Sequence, residues 1–452
     1  MGASHEISIK KLVEIIREAG IVGAGGAGFP THVKFNSKPE YLIVNGAECE
    51  PLIHVDNEIT VHHAKELLKT LSKLKEEISA EHAVFAIKKK HAHAVDVLEK
   101  ELLSFPNIEL FCLQDIYPAG DEQVLVYEIT KRIVPEGGIP IAVGCVVINV
   151  ETLLNIHNAM FNNSPLTEKY VTVTGAVRNP STIRVPIGVS FEDIIGACGG
   201  PLIDDFVTIE GGPMMGSLLQ DLSGSVTKTT KALIALPSDH PWIISKRREI
   251  PEMMRIAKTA CCHCMLCTEV CPRELLGHSI HPDKIMRIAS YNKICSKTSD
   301  VAEVFLCCEC GLCEIACVMD LQPWKLNKTL KADLIAGGMK NPYKNKPESV
   351  HPFREYRKFP MKKLISNIGL KKYDFPAHMK DITTDHIKFV SLKLKQSAGR
   401  PAKPVISVGT AVVKGDVIAD IPDGELGSRL HASISGTVTH IDENLIKIEK
   451  NC

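Results

Sequence analysis

The chain has 452 residues, 44% of them hydrophobic and 23% charged, with 53 Lys+Arg balanced by 53 Asp+Glu. That length calls for three or four domains rather than one core. Zero net charge gives no bulk attraction for polyanions, so no nucleic-acid partner is expected. No apolar run is long enough to span a bilayer, and the longest, "IPIAVGCVVINV", has the length of a buried strand.

The chain opens on "MGASHEISIKKLVEIIREAG", where Ile7, Ile9, Leu12, Ile15 and Ile16 alternate with charges. This predicts an amphipathic helix packed on its own domain, not a signal peptide; a docking helix is the sharper alternative. Next comes "GIVGAGGAGFPTHVKF", with five glycines in sixteen positions. A Rossmann fingerprint needs a strand directly before its glycines. Here a helix precedes them and Phe29-Pro30 follows. The spacing alone therefore leaves a flexible loop and a nucleotide cradle both open.

Up to residue 165 the pattern alternates α and β, with strands in "EYLIVNGAE" and "EHAVFAIKKK" and helices in "NEITVHHAKELLKTLSKLKEEI" and "LLNIHNAM". Residues 166–220 alternate apolar and polar, and predict a small β-grasp domain closing near "IEGGPMMG". Residues 221–335 begin with a Ser/Thr/Pro-containing connection that runs to about residue 250. They then carry the cysteine motifs on a background of helix and turn. Residues 336–388 are Lys- and Pro-rich and predict a solvated linker. Residues 389–452 read as short strands of a barrel-sandwich, lipoyl/biotinyl-like half-barrel. The stretch "PDGELGSRL" stands where such domains carry their lysine and has none, so no covalently carried cofactor is expected.

Eleven of the 16 cysteines fall between Cys261 and Cys317, which points to metal rather than to a disulfide framework. Cys261, Cys264, Cys267 and Cys271 form one C-x2-C-x2-C-x3-C run, and Cys307, Cys310, Cys313 and Cys317 form a second. This is the bacterial ferredoxin spacing for 4Fe–4S clusters, in which the fourth thiolate of each run ligates the other cluster. It predicts one set of Cys261, Cys264, Cys267 and Cys317, and another of Cys307, Cys310, Cys313 and Cys271. A pair of zinc sites is the alternative, but zinc usually separates two cysteine pairs by a longer loop. Cys262 and Cys308 read as spare thiols, with a ligand swap as the alternative; Cys49, Cys112, Cys145, Cys198, Cys295 and Cys452 read as buried or free ones.

Two clusters in one chain make a path for single electrons. A hydride donor would then need a flavin to split the pair. The histidine pairs His62-His63 and His91-x-His93 lack the i, i+4 spacing of a helical metal site. His263, His278 and His281 flank the first cysteine run and read as ordinary histidines, with tuning of the cluster as the alternative. Met214-Met215 reads as core.

"GAGGAGFPTHVK", followed by "YLIVNGAECEP", "YPAGDEQVLVYEITKR" and "INVETLLNI", resembles the flavin- and NADH-binding domain of the 51-kDa-type subunit of complex I. The whole chain resembles the C-type subunit of the Rnf electron-transport complex. It is still more similar to the propanediol-utilisation cobalamin reductases of bacterial microcompartments, which share its C-terminal half-barrel. The resemblance implies FMN and NAD(H) beside two 4Fe–4S clusters, with cobalamin as electron acceptor.

By the same resemblance, Gly25, Gly26 and Gly28 would let backbone approach FMN and the dinucleotide, and Lys34 would face the flavin. Asn45 and Glu48 would hydrogen-bond the isoalloxazine, and Asn149 and Thr152 would bind the phosphate side. Glu50 and Glu122 would contact the nicotinamide nucleotide, with Phe29 stacking on it. Two positions depart from complex I: Ala47 replaces an acidic residue, and Gly120-Asp121-Glu122 replaces Gly-Glu-Glu. Asp121 is carried over as cofactor-binding, and Glu50, Glu122 and Lys34 as catalytic. A cytoplasmic, microcompartment-associated oxidoreductase is implied, with a corrinoid adenosyltransferase and shell proteins as partners and homo-oligomers allowed. An adaptor that delivers electrons to another protein is the second reading.

Overall fold

Four parallel strands form the first sheet: β1 (Tyr41–Gly46), β2 (His82–Lys88), β3 (Glu109–Leu113) and, after the short β4 (Ile116–Tyr117), β5 (Cys145–Asn149), in the order β3-β2-β1-β5. This is a computed structural model, and it describes residues 9–26, 28–291, 299–381, 387–422 and 424–451. Ile7, Cys295 and Cys452 lie outside the described residues. The strands are apolar almost throughout because helices cover the sheet. These helices include α1 (Ile9–Glu18), the short α2 (Thr31–Lys34), α3 (Val55–Glu77), α4 (Ala92–Leu102), α5 (Glu122–Thr130) and α6 (Val150–Asn162). Leu12 and Ile16 of α1 are fully buried, as its apolar stripe requires.

The chain winds outward from β1 through β2 to β3, then returns to the other side of β1 as β5. Strand order therefore reverses between β1 and β5. A parallel sheet opens a crevice at the carboxyl ends of its strands at such a point. Asn45 and Gly46 end β1 there, and Asn149 ends β5.

A second sheet has the order β12-β7-β6-β10-β8-β9. It is built from β6 (Glu168–Gly175), β7 (Ser181–Pro186), β8 (Phe206–Glu210), β9 (Ser217–Leu218), β10 (Ala232–Pro237) and β12 (Met379–Lys380), with α7 (Phe191–Ala197) beside it. The stretch expected to be a connection supplies β10, whose residues 232–236 are buried between β6 and β8. The sheet that holds the β-grasp strands therefore continues past "IEGGPMMG".

The cysteine motifs sit among short helices: α8 (Pro241–Arg247), α9 (Ile250–Ala260), α10 (Leu266–Glu269), α11 (Pro272–Leu275), α12 (Pro282–Tyr291), α13 (Leu312–Ile315) and α14 (Pro323–Ala336). Met253, Ile285, Val304, Leu326 and Leu330 give this unit its own small core. After α14 come α15 (Arg354–Arg357), β11 (Phe359–Pro360) and α16 (Met361–Asn367). The expected linker is thus partly ordered as a strap. β11 pairs with β4 of the first domain, and β12 pairs with β7 of the second.

Seven strands then close the half-barrel: β13 (Phe389–Lys393), β14 (Lys403–Pro404), β15 (Ala411–Val412), β16 (Val417–Asp420), β17 (Leu430–His431), β18 (Gly436–Ile441) and β19 (Leu445–Glu449). They form two facing sheets, ordered β13-β19-β18-β15 and β14-β16-β17. The half-barrel also seals the first domain. Lys228 reaches Gly20 O at 2.7 Å and Arg429 O at 2.6 Å, and Ser428 Oγ donates to Gly20 O at 2.8 Å.

Candidate functional site

The crevice at the ends of β1 and β5 is lined by polar groups from four places in the chain. Asn149 caps α6 through Glu151 N at 3.0 Å and donates to Asp56 Oδ2 at 2.8 Å. Lys231, on the approach to β10, reaches Asp56 Oδ1 at 2.6 Å and Asn149 Oδ1 at 3.4 Å. Glu48 accepts from the amides of Asp56 and Asn57 at 2.8 and 3.1 Å, at the start of α3. Burial, with the Asp56 charge adding to it, pushes the Glu48 carboxyl up to about 8. Burial alone would lower Lys231, but Asp56, Glu151 and Glu48 outweigh it and hold its pKa above the usual range. Behind them Glu151 is ion-paired with the fully buried Lys169.

The glycine loop runs along the same crevice. Ala24 N donates to Thr152 Oγ1 at 2.9 Å, which ties the loop to α6. A Cβ on Gly25 would stand 3.8 Å from Asn149 Nδ2. Gly26 has φ +83° and open space where a side chain would be. These two glycines leave an exposed strip of backbone facing Asn149, a cradle that any larger residue would fill. Gly28, at φ +64°, is different: its Cβ would meet Thr229 Cγ2 at 2.8 Å. Gly28 is needed for packing inside the protein, not for an open face. Phe29 beside it is 37% exposed.

The turn from β4 into α5 forms the third wall. Asn45 Nδ2 donates to Gly120 O at 2.9 Å. Lys34 Nζ bridges Glu122 at 3.1 Å and Val147 O of β5 at 2.9 Å. Asp121 and Glu50, two residues expected to touch cofactor, are already engaged. Asp121 caps α5 through the Gln123 and Val124 amides and holds Arg273 with both oxygens, at 2.6 and 2.8 Å. Glu50 accepts from Met214 N and Met215 N at 2.9 and 3.0 Å, and burial raises its pKa. Its carboxylate docks the "GGPMMG" loop on the first domain. In that loop Met214 is buried, but Met215 is 54% exposed, so only the first of the pair is core.

The cysteines gather in two places. Cys261, Cys262, Cys264, Cys267 and Cys317 line one small cavity with His263, Met286 and Leu321. In the second place, Cys271 lies close enough to Cys307, Cys308, Cys310 and Cys313 for their charges to interact. Burial pushes Cys267 up to about 12 and Cys307 up to about 11. In both motifs the residue opening the helix after the middle cysteine is left-handed: Met265 at φ 64° and Gly311 at φ 78°. Gathered thiols suit a cationic iron core, which turns thiols into stabilised thiolates. Cys308 is half-buried beside Cys310, and their mutual hydrogen bond lowers its pKa.

Three of the histidines have ordinary partners. His63 meets Tyr170 Oη at 3.2 Å, His278 meets Val134 O at 2.9 Å, and His281 meets Glu303 at 3.0 Å. Sequence reasoning missed Asp56, Lys231, Arg273 and Tyr117. Only Arg273 carried a signal, because it follows the Cys271-Pro272 pair directly.

Comparison with known proteins agrees with this layout. Residues 16–158 match the Nuo51 FMN-binding domain, 170–217 the SLBB domain, 260–322 a 4Fe-4S dicluster domain, and 374–452 the RnfC barrel sandwich hybrid domain. The chain is 37% identical over 443 residues to the cobalamin reductase PduS of Salmonella typhimurium, covering 98% of this chain and 97% of that one. It is 38% identical to the protein of the same name from Citrobacter freundii, covering 96% and 95%. The C-type subunit of the Na(+)-translocating ferredoxin:NAD(+) oxidoreductase complex of Acetobacterium woodii is 33% identical, over 61% of this chain and 60% of its own. An NAD+-reducing NiFe-hydrogenase shares the fold at a TM-score of 0.50 and 19% identity, over 74% of this chain and 64% of that one. The chain is therefore an oxidoreductase with flavin and iron–sulfur cofactors, and it belongs to the family of the cobalamin reductases PduS.

Proposed function

We propose that this protein oxidises NADH and passes the electrons, through FMN and two 4Fe–4S clusters, to cobalamin. One observation carries the reading. The β4–α5 turn places Glu122 against Lys34 in the crevice, and the adjacent Asp121 is gripped by Arg273 of the first cysteine motif. A single turn thus touches both the nucleotide crevice and the cluster unit. FMN supplies hydride acceptance and single-electron release, and the clusters carry electrons one at a time.

The residues divide the remaining work. Backbone at Gly25 and Gly26 admits the flavin, with Thr152 tying the loop to α6 and Asn149 beside it. Lys34 and Lys231 supply positive charge, which favours a phosphate and a reduced anionic ring. Asn45 and the carboxyl of Glu48 offer hydrogen bonds at the ring's edge. Glu122 and Phe29 stand on the open side, where a nicotinamide nucleotide enters. Glu50 and Asp121 act by position: Glu50 holds the β-grasp loop, and Asp121 holds Glu122 in register. Cys261, Cys264, Cys267 and Cys317 would hold one cluster, and Cys271, Cys307, Cys310 and Cys313 the other.

The acceptor is assigned from the family, whose named members are cobalamin reductases. A corrinoid adenosyltransferase as next enzyme, and a place in or on a microcompartment, belong to the same reading. No helix among the described residues is long and apolar enough to cross a membrane. A second reading, an adaptor delivering electrons to another protein, is favoured by exposed Met265, Val318 and Met319 beside the first cavity. Anaerobically purified protein given NADH and cobalamin, with no membrane fraction, decides between them. Reduction of the corrinoid is expected; its absence, with NADH still bleaching the flavin, would leave the adaptor.

A further inference from the structure

The two cysteine sets share one spacing but not one environment. In the Cys271 set, Cys271, Cys310 and Cys313 are each no more than 8% exposed and Cys307 is half-buried. In the Cys261 set, Cys264 is exposed and Cys261, Cys267 and Cys317 are half-buried. Met265, Val318 and Met319, exposed by 48%, 64% and 38%, stand beside the Cys261 set.

Their attachments differ in the same sense. The buried set is bolted to the flavin domain. Tyr117 Oη donates to Cys310 O at 2.6 Å, and Arg273 grips Asp121. His278 bonds Val134 O at 2.9 Å, and Asn345 of the strap bonds Glu136 at 2.7 Å. Tyr117 and Asp121 bracket the turn whose Gly120 carbonyl is held by Asn45 in the crevice. The cavity of the exposed set is walled instead by Asp283, Met286, Leu321 and Pro323 of the helical unit itself. The two sets meet where α10, carrying Cys267, packs on α13, carrying Cys313.

We infer that electrons enter the iron–sulfur unit at the Cys271, Cys307, Cys310 and Cys313 set and leave it at the Cys261, Cys264, Cys267 and Cys317 set, with Arg273 and Tyr117 as the positioning residues of the entry end. This rests on the function proposed above. The accounting is that of NADH oxidation: each NADH becomes NAD+, one proton goes to solvent, and two electrons leave singly to reduce a one-electron acceptor twice. Arg273 also places a buried cation next to Cys271. A positive charge there stabilises the more negative, reduced state of a nearby cluster and so raises its potential relative to the other.

The test uses the full chain with its cofactors, mixed anaerobically with NADH or dithionite and read by EPR. In Cys310→Ala, NADH should bleach the flavin yet leave the exposed-set cluster oxidised, while dithionite reduces it. In Cys264→Ala, NADH should still reduce the buried-set cluster, while reduction of added cytochrome c falls at least about tenfold. Arg273→Gln keeps all eight ligands. It should slow NADH reduction of the buried-set cluster and lower that cluster's midpoint potential alone, with Arg273→Lys restoring much of both. Rapid NADH reduction of the exposed-set cluster in Cys310→Ala, or equal shifts of both potentials in Arg273→Gln, would overturn the order. A wild-type protein whose flavin and clusters both ignore NADH would instead overturn the proposed function, and the order with it.

Discussion

The nucleotide crevice and the cysteine sets solve burial in opposite ways. Around the crevice each buried charge has a partner from the chain itself: Lys231 with Asp56, and Lys169 with Glu151. The cysteine sets gather sulfurs whose pKa values burial raises, and Arg273 beside Cys271 is itself committed to Asp121. The crevice is therefore organised before its ligand arrives. The cluster unit is organised by its iron. Cofactor loss should leave one region standing and undo the other.

The largest effect expected follows directly. Chelating the iron from anaerobic protein should open the helical unit, whose small core around Met253, Ile285 and Leu330 is separate from the main one. Limited proteolysis should then cut within residues 250–336 and spare the first domain. An unchanged digestion pattern would break the comparison. Next in size, Lys231→Met leaves Asp56 without its cation. It should cost about 3–5 kcal/mol, seen as a lower denaturant midpoint, and Asp56→Asn should recover part of the loss. If Lys231→Met alone is neutral, the crevice is not self-neutralised.

Gly26→Val sharpens the contrast within one loop. Its side chain enters open space on the cradle and its left-handed backbone adds only about 1–2 kcal/mol of strain, so flavin should be lost while both clusters and the fold remain. Gly28→Val should instead lower the thermal midpoint, because it strikes Thr229. Retained flavin in Gly26→Val would contradict the cradle. The smallest effect concerns a third way to bury a charge, which is to discard it. Burial, with Lys228 and Arg429 nearby, pushes His431 down to about 3, so it is neutral in the folded protein. The unfolded chain takes up that proton below about 6.5. Stability should therefore fall with pH from about 6.5 toward 3, by at most about 1.4 kcal/mol per pH unit. His431→Gln should flatten the curve between pH 7 and 5.5. Parallel curves would remove His431 from the account.

What the sequence reveals depends on how far apart the partners lie. Cysteine spacing is local, so the two runs can be read directly, and the fold brings Cys317 to the cavity of the first run and Cys271 beside the second. The apolar strands of the first sheet are legible for the same reason. The crevice's cation is not: Lys231 lies 175 residues from Asp56, and nothing near it marks a site. Two-residue strands such as β11 and β12 are too short to show alternation, so the strap reads as linker. Asp121 and Glu50 resemble cofactor ligands in sequence. Their observed bonds to Arg273 and to the Met214 and Met215 amides run between domains, where no local pattern reaches.

The seal between the half-barrel and Gly20 sets a schedule for making the protein. Ser428 and Gly20 are 408 residues apart, and Ala398 N bonds Gly28 O at 3.1 Å. At about 5–20 residues per second, a ribosome needs about 20–80 s between the two halves of that contact. The glycine loop is thus clamped at both ends only when the half-barrel folds onto it. Closure of the loop is on that account a late event, timed by synthesis of the half-barrel.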